Sequence, residues 1–345
     1  MRLALGIAYF GIGASVADTL ALTQEADRLG YHSVWAAEAY GSDVPTVLSW
    51  IGSQTRQIKL GSGIMQMTAR SVAMTAMTAA TIDLLFEGRM LLGLGLSGPQ
   101  VAEGWYGTRY TKPLARTREY VEIVREILRR EGPLEYDGEV FQLPLPESKG
   151  KALKLIIHPA RNTIPIYLAA IGPRNIALTG EIADGWLPAF FSPEHVDLFM
   201  PSLSEGLARA GRDLTSIDIA PNAFVSIGDD LDTCYDWMRP FYGLYMGGMG
   251  SKEDNFYVAL ATRYGYADAC AEIQQLYLAG KKFEAYQAVP SELIDATALA
   301  GPAERVAERI KRYETAGVTT LIVNPVAGTL EDRIAIIRTM KDIAG

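Results

Sequence analysis

The chain has 345 residues, enough for one large α/β barrel or two ordinary domains. Hydrophobic residues make up 49% and charged residues 21%, which excludes a disordered or fibrous chain. With 32 basic and 40 acidic residues the net charge is −8, which speaks against wrapping nucleic acid or docking on an anionic membrane.

Residues 3–7 read as a short apolar strand. Helical spacing follows, with Leu22, Ala26 and Leu29 on one face and Gly30 as its stop. A second strand covers 33–37 and a second helix 44–51, with Asp43 placed to cap it. The third strand spans 58–64, a long apolar helix 72–86, and the fourth strand 90–94. Tyr120, Ile123, Val124, Ile127 and Leu128 mark an amphipathic fourth helix. Residues 132–164 break the rhythm as an inserted loop with a hairpin around Tyr136-Asp137-Gly138-Glu139. Strand five (166–169), a helix (175–183), strand six (186–187), a helix (193–210) and strand seven (217–227) resume it. Residues 229–296 form a mostly helical insertion. Gly301-Pro302 opens the last regular helix, with Val306, Ile310 and Tyr313 buried and Gly317 closing it. Strand eight is 319–323, and Ile334, Ile337 and Met340 mark a terminal helix. Eight continuous apolar strands, most followed by a helix, predict a (β/α)8 TIM barrel. It is expected as one domain over 1–345, with insertions after strands four and seven. A doubly wound open sheet is the alternative of equal content.

Cys234 and Cys270 are unpaired in sequence, so neither a disulfide framework nor a metal is expected. The N-terminus lacks a secretory h-region, and no run reaches about 18 apolar residues. A cytoplasmic protein without a membrane span is expected.

A barrel of this kind works at the C-terminal ends of its strands. The turns there place Tyr9, Phe10, Tyr40, Met65, Met67, Trp105 and Tyr106 as an apolar aromatic pocket for a flat ring, or as caps of the core. Gly93-x-Gly95-x-x-Gly98 spells the dinucleotide fingerprint. Residues 99–110 read as loop rather than as the helix that should follow, so a Rossmann site is not expected. Ala170-Ile171-Gly172-Pro173-Arg174 lies between strand five and helix five. Free N–H groups, the helix dipole, a glycine permitting close approach and an arginine make it a phosphate cradle; a plain capped helix is the alternative. Glu38 ends strand two, where a carboxylate can accept a proton or hold a cofactor ring. Of the three histidines, His32 reads as structural and His195 as solvent-facing, and His158 is the one placed near the barrel mouth.

Several ordered segments carry a family resemblance: Ala37-Glu38-Ala39-Tyr40-Gly41-Ser42-Asp43, Leu60-Gly61-Ser62-Gly63-Ile64, Leu92-Gly93-Leu94-Gly95 with Ser97-Gly98-Pro99, Pro165-Ile166-Tyr167-Leu168-Ala169-Ala170 before Gly172-Pro173-Arg174, Glu181-Ile182-Ala183-Asp184-Gly185-Trp186, and Ala300-Gly301-Pro302. Together they resemble the luciferase-like monooxygenase superfamily, and within it the actinobacterial F420-dependent oxidoreductases called methylenetetrahydromethanopterin reductase-like. The resemblance implies coenzyme F420, or alternatively FMN, at the strand C-termini. It implies a non-proline cis peptide at Gly63–Ile64 supporting the ring, Ser97 and Gly98 beside it, and Ala170, Ile171, Gly172 and Arg174 at the phosphate. Other members carry Asp-His after strand two, where this chain has Glu38-Ala39. Sugar-phosphate oxidation by that route is therefore not expected, and Glu38 and Tyr40 remain as catalytic candidates. The implied function is hydride transfer between the deazaflavin C5 and an organic small molecule. The alternatives are an FMN monooxygenase with a partner reductase, and a non-catalytic cofactor-binding protein. A homodimer is implied. The 229–296 insertion is expected to be a lid, a pocket wall or an oligomer contact.

Overall fold

Apolar strands that must be covered on both faces are accommodated when helices shield one face and the sheet closes on the other. The computed structural model describes residues 1–7, 9, 15–250 and 255–345. Among these the barrel strands are β1 (Arg2–Ile7), β2 (Ser33–Ala36), β3 (Lys59–Ser62), β4 (Met90–Gly95), β5 (Ile166–Leu168), β6 (Gly185–Trp186), β7 (Asp218–Ile219 and Asn222–Ile227) and β8 (Thr320–Pro325). The helices after them are α1 (Val16–Arg28), α2 (Val44–Gln54), α3 (Val72–Leu85), α4 (Pro113–Arg129), α5 (Pro173–Ile182), α6 (Met200–Arg209), α7 (Ala303–Thr315) and α8 (Leu330–Ala344). Neighbouring barrel strands pair in parallel around the ring. β7 closes it: Asp218 pairs with Gly185 of β6, while Thr319 N donates to Ile219 O at 3.0 Å and Ile322 N to Pro221 O at 2.9 Å. Pro221 has no N–H to give, which is why the ladder of β7 is interrupted there. The sheet is a closed (β/α)8 barrel rather than an open doubly wound sheet.

Local signals behave as their chemistry dictates. Asp43 caps α2 by accepting from Thr46 N, and Ser15 caps α1 with a reciprocal bond from Asp18. Gly317 ends α7 at φ +86, a conformation that favours glycine. The segment expected as one helix over 193–210 is instead a 3-10 turn, Pro193–Leu198, followed by α6. Pro201 explains the break, since its ring would clash with the carbonyl four residues back. Leu299–Gly301, of which only Gly301 was assigned, as the opening of the last regular helix, is an extra strand paired with Val225–Ile227. Met65–Gln66 pairs in turn with Leu94–Gly95.

After α4, Tyr136–Asp137 and Gln142–Leu143 pair antiparallel. Their turn is held by Glu119, which accepts from the N–H groups of Glu139, Val140 and Phe141 at 2.7, 2.9 and 2.8 Å. The hairpin packs along α4 as far as its mouth-side N-terminus, where Lys112 pairs with Glu139, and the end of the segment returns to the N-terminal face, where Arg161 pairs with Asp83 and donates to Met90 O. His158 is exposed on that face, opposite the mouth where it was expected. Residues between β7 and Leu299 carry helices Leu231–Gly247, Phe256–Arg263, Ala267–Leu278, Lys282–Gln287 and Ser291–Thr297. No helix among the described residues is long and apolar enough to cross a membrane.

Alternation along the strands divides the core. Leu3, Leu5, Val34, Leu92, Val225, Leu321 and Val323 face the helices. Ala4, Trp35, Leu91, Tyr167, Leu187, Ala220 and Ile322 form a separate cluster inside the barrel. There the Trp35 and Tyr167 rings meet edge-on at 5.0 Å and plug the lumen. Below the plug, His32 Nε2 lies 3.1 Å from Lys59 Nζ and 3.4 Å from Arg2 Nη1, and Arg2 pairs with Asp218 at 2.7 Å. Burial, followed by the charges of Arg2 and Lys59, pushes the His32 pKa down from 6.5 to about 4. A depressed imidazole pKa means that the unfolded chain takes up the proton first as pH falls. The stability contributed by neutral His32 is therefore complete above 6.5 and lost between 6.5 and about 4. Urea unfolding at about pH 7.5 and about pH 5 is expected to show a smaller acid-induced loss in His32→Gln than in the unsubstituted protein.

Candidate active site

Glu38 leaves β2 at the mouth of the barrel and is buried. Its Oε1 accepts from Val44 N at 3.1 Å and Oε2 from Gln66 N at 2.9 Å. Arg70 grips both oxygens, Nη1 to Oε2 at 2.7 Å and Nη2 to Oε1 at 2.8 Å. The same Nη2 donates to Asp43, which in turn caps α2. Burial works against the Arg70 charge, but the hydrogen bonds and charges of Glu38 and Asp43 outweigh it and raise its pKa. Tyr120 of α4 donates to Arg70 O at 3.3 Å and shares a 2.6 Å bond with Thr75 of α3. A carboxylate holding four donors is a brace between the turns after β2 and β3, with no oxygen left idle.

The peptide between Gly63 and Ile64 is cis, as the resemblance implied. Ile64 turns into the lumen beside Ala169, and a Cβ at Gly95 would come within 2.5 Å of Ile64 Cδ1 and 3.6 Å of the Ala169 methyl. A Cβ at Gly93 would lie 1.9 Å from Ser62 O. These two glycines therefore serve close packing within a strand. Gly98 precedes only the four-residue helix Pro99–Ala102, so the fingerprint letters form no Rossmann turn. Ser97 sits at φ +59, a left-handed conformation disfavoured for a residue with a Cβ, and its Oγ accepts from Gln66 Nε2 at 2.6 Å. Gln66 Oε1, Thr68 Oγ1 and Gln100 Oε1 are buried there without a hydrogen-bond partner.

On the same side of the mouth, Ala169 leads into Ala170, Ile171 and Gly172, the N-cap of α5. No side chain caps this helix, open space surrounds the Gly172 Cα, and Arg174 is exposed on its first turn. Ala170 is anchored from below, its carbonyl accepting from Trp186 Nε1 at 2.9 Å.

Aromatic residues form the rim. Tyr40 and Trp105 are 53% and 67% exposed with ring centroids 6.4 Å apart, and Tyr106 donates to Ala39 O at 3.0 Å. The hydroxyl of Tyr40 reaches Met249 Sδ at 3.6 Å, and Gln100 Nε2 donates to Met249 O at 2.5 Å, bridging the rim to the segment after helix Leu231–Gly247. Burial, then the neighbouring Tyr245, Tyr257 and Tyr40, raises the Tyr9 phenol well above its ordinary pKa, so it stays protonated. Met65 and Met67 are not pocket walls: both are buried in the outer core, while Ile64 takes the lumen side. Phe10 lies outside the described residues. His195 is half-buried rather than solvent-facing, sharing a 3.0 Å bond with Ser192 and packing on Tyr264 at 4.7 Å. No group of three or more His, Cys, Asp or Glu among the described residues is placed to hold a metal. Arg70, Gln66 and Gln100 were not singled out from sequence; an arginine close after the predicted bulge was the available signal.

A family model described as luciferase-like monooxygenase matches residues 6–320. The chain belongs to this family. A Mycobacterium tuberculosis protein bearing the name of a coenzyme F420-dependent oxidoreductase is 43% identical over 96% of each chain. Among solved structures, the family fold here is similar to the F420-dependent tetrahydromethanopterin reductase of Methanopyrus kandleri, with TM-score 0.83 and 24% identity over 97% of this chain and 96% of that one. It is also similar to an F420-dependent secondary alcohol dehydrogenase, with TM-score 0.78 and 18% identity over 99% and 97%.

The Glu38–Arg70 brace gives a direct prediction. Glu38→Gln leaves the buried Arg70 guanidinium with only the exposed Asp43 as counter-charge and is expected to lower the unfolding free energy by about 3 kcal/mol. Urea denaturation measures it, and Glu38→Gln combined with Arg70→Met is expected to cost less than the sum of the single changes.

Proposed function

We propose that this protein is a coenzyme F420-dependent oxidoreductase moving hydride between the deazaflavin C5 and an organic small molecule. The observation that carries the reading is the pairing, on one side of the mouth, of the Ile64 bulge with an uncapped helix N-terminus open at Gly172. A full-length relative named for the same coenzyme supports the choice of cofactor. The buried, unpartnered oxygens of Gln66, Thr68 and Gln100 fit a cofactor with hydrogen-bond donors of its own.

In this reading the N–H groups at Gly172 and Arg174, with Ala170 and Ile171 shaping the turn, hold the phosphate. Gly63 and Ile64 support one face of the ring, and Ser97 and Gly98 line its edge. When bound, the cofactor supplies hydride donation or acceptance at C5. Glu38 acts as a positioning residue through Arg70, since all its acceptor directions are taken. Tyr40 remains the proton-donor candidate at the rim. The helices of 229–296 wall the mouth of a single barrel domain and exclude water from it.

A homodimer is part of the proposal. α2 carries no charged residue, and the only one on α3, Asp83, is buried against Arg161. Met74, Met77, Leu84 and Leu85 expose one uncharged stripe along α3, and a second copy of this face is its natural cover. Sedimentation velocity is expected to show a dimer for the unsubstituted protein and a monomer for Met77→Lys combined with Leu84→Lys.

The cofactor assignment is tested by titrating the apoprotein with F420 and FMN and following tryptophan fluorescence. F420 is expected to bind tightly with little response to FMN; the reverse order would favour a flavin monooxygenase. In Gly172→Asp the backbone (φ −78) and open space accept the side chain, and aspartate is a good N-cap, so the fold is expected to keep its stability. The added carboxylate is expected to weaken F420 binding at least about tenfold. Unchanged affinity would exclude this turn as the phosphate site.

A further inference from the structure

Two amide side chains enter the mouth on the side away from the Gly172 turn. Ala223 and Val225 of β7 and Leu321 and Val323 of β8 face the outer core, while Ala220 and Ile322 face the lumen. Alternation therefore puts Asn222, Phe224 and Asn324 on the lumen face. Asn222 pairs with Ile322 and Phe224 with Asn324, so the two asparagines are one step apart on adjacent strands. Asn222 is exposed although it lies within a closed parallel sheet, which is possible only where the lumen opens.

Neither amide is spent on the fold. Asn222 makes no side-chain hydrogen bond to any described residue. Asn324 lies across Gly6, where a Cβ would come within 2.1 Å of its Oδ1. Its Nδ2 reaches Ala223 O and Ile322 O only at 3.4 and 3.5 Å, and its Oδ1 has no partner among the described residues. A glycine on β1 thus leaves room for an amide whose acceptor stays open to the mouth.

Among the described residues the turns around them carry little charge. The turns 188–192 and 324–329 contain no ionisable residue, and 226–230 adds only Asp229 and Asp230, the latter capping helix Leu231–Gly247. Phe224 packs on Phe241 of that helix with the rings tilted and their centroids 4.8 Å apart, and the Tyr9 phenol is held protonated. An amide pair without a lysine or arginine suits a group with a donor or acceptor and no charge, because an anion brought there would lose its hydration without a counter-ion.

We propose that Asn222 and Asn324 form the substrate subsite and select an uncharged carbonyl or hydroxyl compound with an apolar ring or chain against Phe224. The proposal rests on the oxidoreductase reading for the word substrate, while the subsite itself is defined by these residues alone.

The test uses cyclohexanone and its carboxylate-bearing counterpart 4-oxocyclohexanecarboxylate. Affinities are read by saturation-transfer NMR on the apoprotein and on the F420-loaded protein. The unsubstituted protein is expected to bind the ketone at least about tenfold more tightly than the keto acid. Asn222→Leu and Asn324→Leu are each expected to lose most of the ketone affinity while keeping their F420 affinity and thermal midpoint. Asn222 is exposed, so its variant stands even where Asn324→Leu folds poorly. Ketone binding unchanged in Asn222→Leu, equal binding of the keto acid, absence of ketone binding, or F420 affinity falling with the amides would each overturn the proposal. Failure of the unsubstituted protein to bind F420, with ketone binding to the apoprotein still dependent on Asn222, would instead overturn the cofactor reading and leave the subsite.

Discussion

The mouth of this barrel depends on the carboxylate of Glu38. Strand ends in a parallel barrel present loose turns, and a catalytic mouth needs those turns in fixed register. Glu38 binds the first N–H of α2, the N–H of Gln66 beyond the bulge, and both arms of Arg70. Arg70 extends the brace to Asp43 and, through its carbonyl, to Tyr120. A buried ion pair contributes little to net stability once desolvation is counted, so its value here is geometric. Bidentate bonds fix orientation as well as distance. The bulge at Ile64, the strand Met65–Gln66 and the Gln66–Ser97 contact all inherit their position from it.

Above the brace, side-chain volume decides where a ligand has room. Trp35 and Tyr167 fill the middle of the lumen, and their polar atoms are satisfied by Ser33 and Asp218. The next layer toward the mouth is built of Gly6, Gly93, Gly95 and Ala169, with Asn324 lying over the missing Cβ of Gly6, the Ser62 carbonyl over that of Gly93 and Ile64 over that of Gly95. The plug prevents solvent from crossing the barrel, and the small residues above it leave a shelf. The two sides of that shelf differ. One has a helix N-terminus and Arg174, which favour negative charge; the other has amides and aromatic rings, which do not.

The barrel was legible because each strand is a continuous apolar run and each helix has a clear stop, and all eight predicted strands coincide with observed ones. Leu299–Gly301 escaped because three residues carry no period, and its partner lies over seventy residues earlier. Met65 and Met67 were assigned to the pocket on proximity in sequence, whereas Ile64 takes the lumen side and both methionines pack in the outer core. His158 was misplaced because the chain just ahead of β5 must return to the N-terminal face to enter that strand, a topological consequence that composition does not display. The roles of Arg70, Asn222 and Asn324 depend on which side chains meet across strands, and no local spacing encodes that.

The insertion between β7 and Leu299 shows why the mouth is closed on its aromatic side. Phe190, in the left-handed conformation at φ +48, projects from the turn after β6 into Tyr242, Tyr245 and Tyr257, with ring centroids at 5.0, 5.2 and 5.7 Å. Tyr242 is anchored to Thr297 at 2.6 Å, so the cluster joins the first insertion helix to the last. A left-handed phenylalanine is tolerable where packing holds it, and these three edge-to-face contacts supply that packing. The wall is therefore a consequence of the β6 turn as much as of the insertion. Removing the inserted helices would expose Phe190 and release the backbone that sets the rim opposite Tyr40. The barrel strands alone thus define the shelf, and its aromatic side exists only with the insertion in place.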